Sequence, residues 1–128
     1  MKKHDLQIVL IIDDDPAVRS AFSLALEGTS CTVTLAGGGE EGVSAIDREE
    51  VDLIFLDLNM PGINGVDTLR QLREKQPDIP IYIVTAFADD YMGALKQASH
   101  DGLDFELLRK PLDRNQILSV TLSNFGAI

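Results

Sequence analysis

A parallel β-sheet covered by helices on both faces is the architecture this sequence predicts, and three observations predict it. Apolar, strand-like runs alternate with helix-like segments five times through short connections, the pattern of successive β-α units. Two of the runs, residues 7–12 and 52–56, are almost wholly apolar, as strands buried on both faces require. Acidic, hydroxyl or amine side chains stand at the ends of four runs, where open α/β sheets hold their ligands.

The first strand, Gln7-Ile8-Val9-Leu10-Ile11-Ile12, ends abruptly in Asp13-Asp14-Asp15-Pro16. An Asp before Pro16 caps a helix whose first turn tolerates proline, with Val18, Phe22, Ala25 and Leu26 on its apolar face and Gly28 as its stop. Residues 31–35 alternate apolar and hydroxyl side chains, which predicts a strand less fully covered or at an edge, with Cys31 facing the core. Gly37-Gly38-Gly39 leads into a second helix with Val43 and Ile46 inward.

The third strand, 52–56, delivers Asp57 to its end, followed by Leu58-Asn59-Met60 and a Pro61-Gly62 turn. Val66, Leu69 and Leu72 give the third helix its face, which ends before Pro77. Residues 79–84 form the fourth strand, with Pro80 at its beginning. A weaker fourth helix over 89–99 turns Met92, Leu95 and Ala98 inward, and Tyr91 is either core or docking surface. A short fifth strand spans 105–108. Asp113 then caps a last helix through a capping box with Gln116, and Ile117, Leu118, Thr121, Leu122 and Phe125 share a face of that helix.

At 128 residues the chain has the size of one domain, expected to span 1–128 with no output domain attached. Its hydrophobic fraction, 45%, is that of a globular protein, and it has no apolar run long enough to cross a membrane. The N-terminus, Met1-Lys2-Lys3-His4-Asp5, lacks the features of a signal peptide, so a cytoplasmic location is expected. A formal net charge of −10 argues against direct nucleic-acid binding and favours protein partners with basic faces. His4 and His100 have no spaced metal-binding partners and read as surface residues.

In a parallel sheet the strand ends share one edge. Asp13 and Asp14, Asp57, Thr85-Ala86 and Lys110-Pro111 would meet there: three carboxylates, a hydroxyl and one amine. Acids gathered so closely repel one another unless a cation intervenes, and hard oxygen donors suit Mg²⁺. A carboxylate beside Mg²⁺ can attack phosphorus, while the lysine and hydroxyl bind phosphoryl oxygens and the small Ala86 leaves room for them.

These residues, together with Asp57-Leu58-Asn59-Met60-Pro61-Gly62, resemble the receiver domain of bacterial two-component response regulators across essentially the whole chain. The resemblance implies a doubly wound, flavodoxin-like sheet of five strands in the order 2-1-3-4-5. It implies that Asp57 accepts phosphate from a histidine kinase or phosphotransfer protein. Asp13, Asp14, Asp57 and the Asn59 backbone carbonyl would hold Mg²⁺, Asp13 through water. Thr85 and Lys110 would grip the phosphoryl group, with a cis Lys110-Pro111 bond. A monomer or weak dimer would then signal through the face made by the fourth helix, fifth strand and fifth helix, without being a turnover enzyme.

One departure stands out. Family members usually carry Tyr or Phe three residues before the lysine; here that position is Leu107, and Phe105 lies five before Lys110. Either a bulge restores Phe105 to the switch position or the aromatic half of the switch is missing.

Three other readings compete. A degenerate receiver-like module would signal by association alone, against the intact acidic set. A haloacid-dehalogenase-type hydrolase would use Asp13 and Asp15 in D-x-D spacing but leaves Asp57 unexplained. Gly37-Gly38-Gly39-Glu40-Glu41-Gly42 literally fits a dinucleotide fingerprint, yet Glu40 and Glu41 put negative charge where a pyrophosphate would bind.

Overall fold

The computed structural model describes residues 7–60 and 64–128. The Met1–Asp5 segment with His4, and the Pro61-Gly62 turn, lie outside the described residues. In chain order the elements are β1 (Gln7–Ile12), α1 (Pro16–Leu26), β2 (Cys31–Ala36), α2 (Gly39–Arg48), β3 (Leu53–Leu56), α3 (Gly65–Lys75), β4 (Ile81–Thr85), α4 (Ala88–His100), β5 (Glu106–Arg109) and α5 (Arg114–Phe125).

The strands form one parallel sheet in the order β2-β1-β3-β4-β5. Alternation along β1 and β3 explains why both runs are apolar throughout. Leu10, Ile12, Ile54 and Leu56 pack beneath α2, α3 and α4 with Val43, Leu69 and Leu95. Val9, Ile11, Leu53 and Phe55 face the other way, against Phe22 and Leu26 of α1 and Ile117 of α5. β2 is an edge strand with partial burial along its length, and Cys31 is half-buried against the α1–α5 side.

Local chemistry sets the helix ends. Asp15 caps α1 by accepting from the Ala17 N–H at 2.9 Å, with Pro16 in the first turn, and the chain leaves after α1 through Gly28 at φ +83°. Asp113 and Gln116 form the expected capping box on α5. Asn64 caps α3 by accepting from the Asp67 N–H.

The elements differ from the sequence expectation mainly at their edges. β4 begins at Ile81, one residue after Pro80, and the Pro80 carbonyl accepts from Ile54 N–H. Leu122 is 45% exposed and not part of the buried α5 face, which is carried by Ile117 and Thr121 with Leu118 and Phe125 at its margin. Met92 is half-buried against the α2–α4 side, and His100 is exposed at the end of α4.

A candidate phosphoacceptor site at the strand ends

The C-terminal edge of the sheet brings the polar strand ends together. The Asp57 N–H donates to the Ile12 carbonyl at 2.9 Å and the Asp13 N–H to the Ala36 carbonyl at 3.0 Å, so the ladder continues past the strands and fixes both carboxylates side by side. Asp13 and Asp57 are buried, at 3% and 5% exposure, while Asp14 faces solvent. One carboxylate oxygen from each of Asp13, Asp14 and Asp57 lies within 4.8 Å of the others.

Lys110 enters from the end of β5, where its N–H donates to the Thr85 carbonyl at 3.0 Å and the Lys110-Pro111 bond is cis. Its Nζ lies 2.8 Å from Asp13 Oδ2 and 3.6 Å from Asp57 Oδ2. Burial acts to lower the lysine's pKa, but the hydrogen bond to Asp13 and the nearby negative charges of Asp57 and Asp13 outweigh it and hold the amine above its ordinary range. The Asp57 carboxyl is held above 3.8, first by burial and then by the charge of Asp13; Lys110 and the Asn59 backbone N–H oppose that rise, and Asp14 adds to it.

Asp57 opens into a cavity of about 390 Å³, lined by Asp14, Asn59, Ala86, Phe87 and Lys110 among others. Ala86 sits at the wall, where its small side chain leaves room. Thr85 is wholly buried behind that wall, and its hydroxyl accepts from the Phe87 N–H at 3.1 Å. That contact occupies an acceptor lone pair and leaves the O–H proton to donate elsewhere. Pro111 lies on the other side of Lys110, against an apolar cleft with Val18, Phe22 and Leu112.

Phe105 does not reach this edge. β5 pairs with β4 residue for residue from Tyr82–Glu106 to Thr85–Arg109, with no bulge, so Leu107 keeps the position three before Lys110. Phe105 precedes the strand and lines a cavity of about 470 Å³ at the opposite edge, with Tyr82 and Asn124.

Two residues of the site were not singled out by the sequence. Arg19, one turn into α1, donates from Nη1 to the Asp13 carbonyl at 2.6 Å and so braces the acidic loop against the helix. Phe87 lies at the cavity rim with 46% exposure. Neither stands at a strand end, the signal that exposed the others.

The donor set fits a hard divalent cation. Three carboxylates converge there while, among the described residues, Lys110 alone reaches Asp13 and Asp57, and burial with the charge of Asp13 raises the Asp57 pKa, the situation a bound cation relieves.

A family model of the response regulator receiver domain matches residues 9–121. Among curated proteins, the DNA-binding transcriptional regulator NtrC of Salmonella typhimurium is 32% identical over 113 residues, covering 88% of this chain and 24% of that protein. The probable transcriptional regulatory protein TcrX of Mycobacterium tuberculosis is 35% identical over 88 residues, covering 67% of this chain and 38% of that protein. The chain therefore spans about a quarter to two fifths of the length of these relatives. Among solved structures, the BeF3-activated receiver domain of nitrogen regulatory protein C superposes with a TM-score of 0.77 at 29% identity, covering 96% of this chain and 97% of that one. A CheY-like receiver domain protein from Methanospirillum hungatei superposes with a TM-score of 0.85 over 95% of each chain; at 24% identity it speaks to the fold alone. Matching family model, sheet order and acidic pocket agree: this chain belongs to the receiver domains of two-component response regulators.

Proposed function

We propose that Asp57 is the phosphoacceptor and that the domain is a switch driven by its phosphorylation. The observation that carries this reading is the convergence of Asp13, Asp14 and Lys110 on Asp57 at the mouth of an open cavity. An Asp57 carboxylate oxygen attacks the phosphorus of a phosphohistidine on a histidine kinase or phosphotransfer protein. The new O–P bond forms as the P–N bond breaks, and the imidazole leaves with the electron pair of that bond.

Mg²⁺, held by Asp13, Asp14, Asp57 and the Asn59 backbone carbonyl, would neutralise phosphoryl charge there. Lys110, already 3.6 Å from Asp57, would follow the phosphoryl oxygens by loosening from Asp13. The Thr85 O–H would donate to a phosphoryl oxygen past Ala86, which draws the β4–α4 turn with it through the bond to the Phe87 N–H. Output would pass to a protein partner over the α4-β5-α5 face, with a coupling of roughly 1–3 kcal/mol. The chemistry on this chain is its own phosphorylation and dephosphorylation and not turnover of a separate substrate. We place it in the cytoplasm as a monomer or weak dimer. No described helix is long and apolar enough to cross a membrane.

Incubation with Mg²⁺ and acetyl phosphate tests the reading. Intact mass should show one phosphoryl adduct on the native chain and none on Asp57→Asn; an adduct on the variant, or none on the native chain, overturns it.

A further inference from the structure

An aromatic side chain of α4, Tyr91, reaches one of the residues that line the acidic cavity. The Tyr91 hydroxyl donates to Asn59 Oδ1 at 3.3 Å. Asn59 lines the cavity beside Asp57, and its backbone N–H is one of the groups that act to lower the Asp57 pKa. A short link therefore runs from the cavity that Asp57 and Asn59 share, through the Asn59 side chain, to the phenol. The Tyr91 ring is half-buried against the core on the α2–α4 side, and it lines a groove of about 370 Å³ between α3 and α4 with Val66, Arg70 and Ala94.

Two properties of this contact suit a link that changes over one that merely scaffolds. Its length exceeds the usual 2.5–3.0 Å of an O–H···O bond, so little is lost when it opens. It also lies at an exposed rim, where water can replace either partner. A phosphoryl group on Asp57 would extend into the cavity that Asn59 lines. The Asn59 side chain cannot stay in place unless the new group is accommodated around it.

We propose that Tyr91 is a positioning residue for the chemistry at Asp57: it holds Asn59 against the unphosphorylated carboxylate, and phosphorylation breaks the contact and frees α4 along the α3–α4 groove. This rests on Asp57 being the phosphoacceptor. The path is separate from the one through Thr85, which is buried on the other side of the cavity wall.

The chain has two tyrosines and no tryptophan, so Tyr82→Phe leaves Tyr91 as the only tyrosine reporter. With Mg²⁺ and acetyl phosphate, intact mass reads the adduct while tyrosine emission reads Tyr91. The expected result is an adduct accompanied by a change in emission, both lost in Asp57→Asn. Tyr91→Phe, which removes only the hydroxyl, should still form the adduct. Its unphosphorylated α4 amides should exchange hydrogen like those of the phosphorylated native chain, and the phosphorylation-dependent difference should shrink about fivefold. An adduct with unchanged Tyr91 emission, or a full α4 response in Tyr91→Phe, overturns this proposal and leaves the phosphoacceptor reading standing. Absence of the adduct overturns both.

Discussion

Lys110 Nζ lies nearer to Asp13 Oδ2, at 2.8 Å, than to Asp57 Oδ2, at 3.6 Å. The one cation that the described residues bring within ion-pair reach of Asp13 and Asp57 is thus biased toward the acid that is not the proposed phosphoacceptor. Asp57 is left under-compensated, in keeping with its raised pKa, and it lines the open cavity.

Lys110→Ala should destabilise the metal-free domain by about 2–3 kcal/mol, because it strands the buried Asp13 carboxylate without its charged partner. Mg²⁺ should restore more stability to this variant than to the native chain, since the cation then meets three uncompensated acids. Urea unfolding with and without Mg²⁺ checks both; equal responses to the ion would contradict the shared-cation account.

Asp57→Asn should stabilise the metal-free domain at neutral pH, since it removes a buried charge held beside Asp13. The sign follows from linkage. A carboxyl whose folded pKa is raised above its unfolded value makes a favourable contribution below the unfolded pKa, and that contribution is lost as pH rises through the folded value. Native stability should therefore show a loss as pH climbs from about 3.8 through the raised pKa, and the Asn variant should lack that component. Thermal melts of both proteins across this window measure it. Mg²⁺ affinity should fall over the same interval as pH decreases, because the ion needs the ionised form.

Two glycine substitutions should act in opposite directions. A Cβ at Gly65 would stand 2.2 Å from Leu58 Cα and 2.9 Å from the Asp57 carbonyl, so Gly65→Ala must push the β3–α3 connection away from the site. A loss of about 2–4 kcal/mol is expected, together with slower phosphorylation. Gly93, exposed within α4, has nothing within 4 Å of a Cβ, and Gly93→Ala should stabilise by about 1 kcal/mol through helix propensity alone. Denaturant midpoints of the two variants decide the pair.

Arg73 ties the far edge of the sheet. Its guanidinium donates to the Asp104 carbonyl from Nε and Nη2 at 2.9 and 2.7 Å, and from Nη1 to Ile79 at 2.6 Å and to Gln76 and Pro77 at 3.2 Å. Arg73→Ala should cost about 2 kcal/mol by leaving those carbonyls to be satisfied by water, and Lys should not rescue it because an ammonium cannot span both loops. Phosphoryl adduct formation at Asp57 should survive, since the acidic cavity lies at the opposite edge of the sheet.

The five strands and the acidic cluster were legible because each rests on a short-range signal. Doubly apolar runs mark β1 and β3, a polar residue directly after an apolar run marks Asp13 and Asp57, and Lys110 stands just past the short fifth strand. The capping box at Asp113 was legible for the same reason, since its two partners are three residues apart. Leu122 was misplaced because helical periodicity assigns it to a face without saying how wide a stripe the sheet covers. The two alternatives for Phe105 could not be separated from sequence either, because a bulge is a property of pairing: only the unbroken β4–β5 register kept Leu107 three residues before Lys110 and left Phe105 at the far edge.

Sequence by itself determined the element order, the buried strands and the set of residues able to meet at one sheet edge, since these follow from periodicity and local capping. Tertiary structure decided how that set is arranged: Lys110 on Asp13 before Asp57, Arg19 on the Asp13 carbonyl, Thr85 behind the Ala86 wall and Tyr91 on Asn59. These are contacts that side chains make to other elements or across a tight turn. Their distances depend on how helices pack on a twisted sheet, which no pattern along the chain encodes.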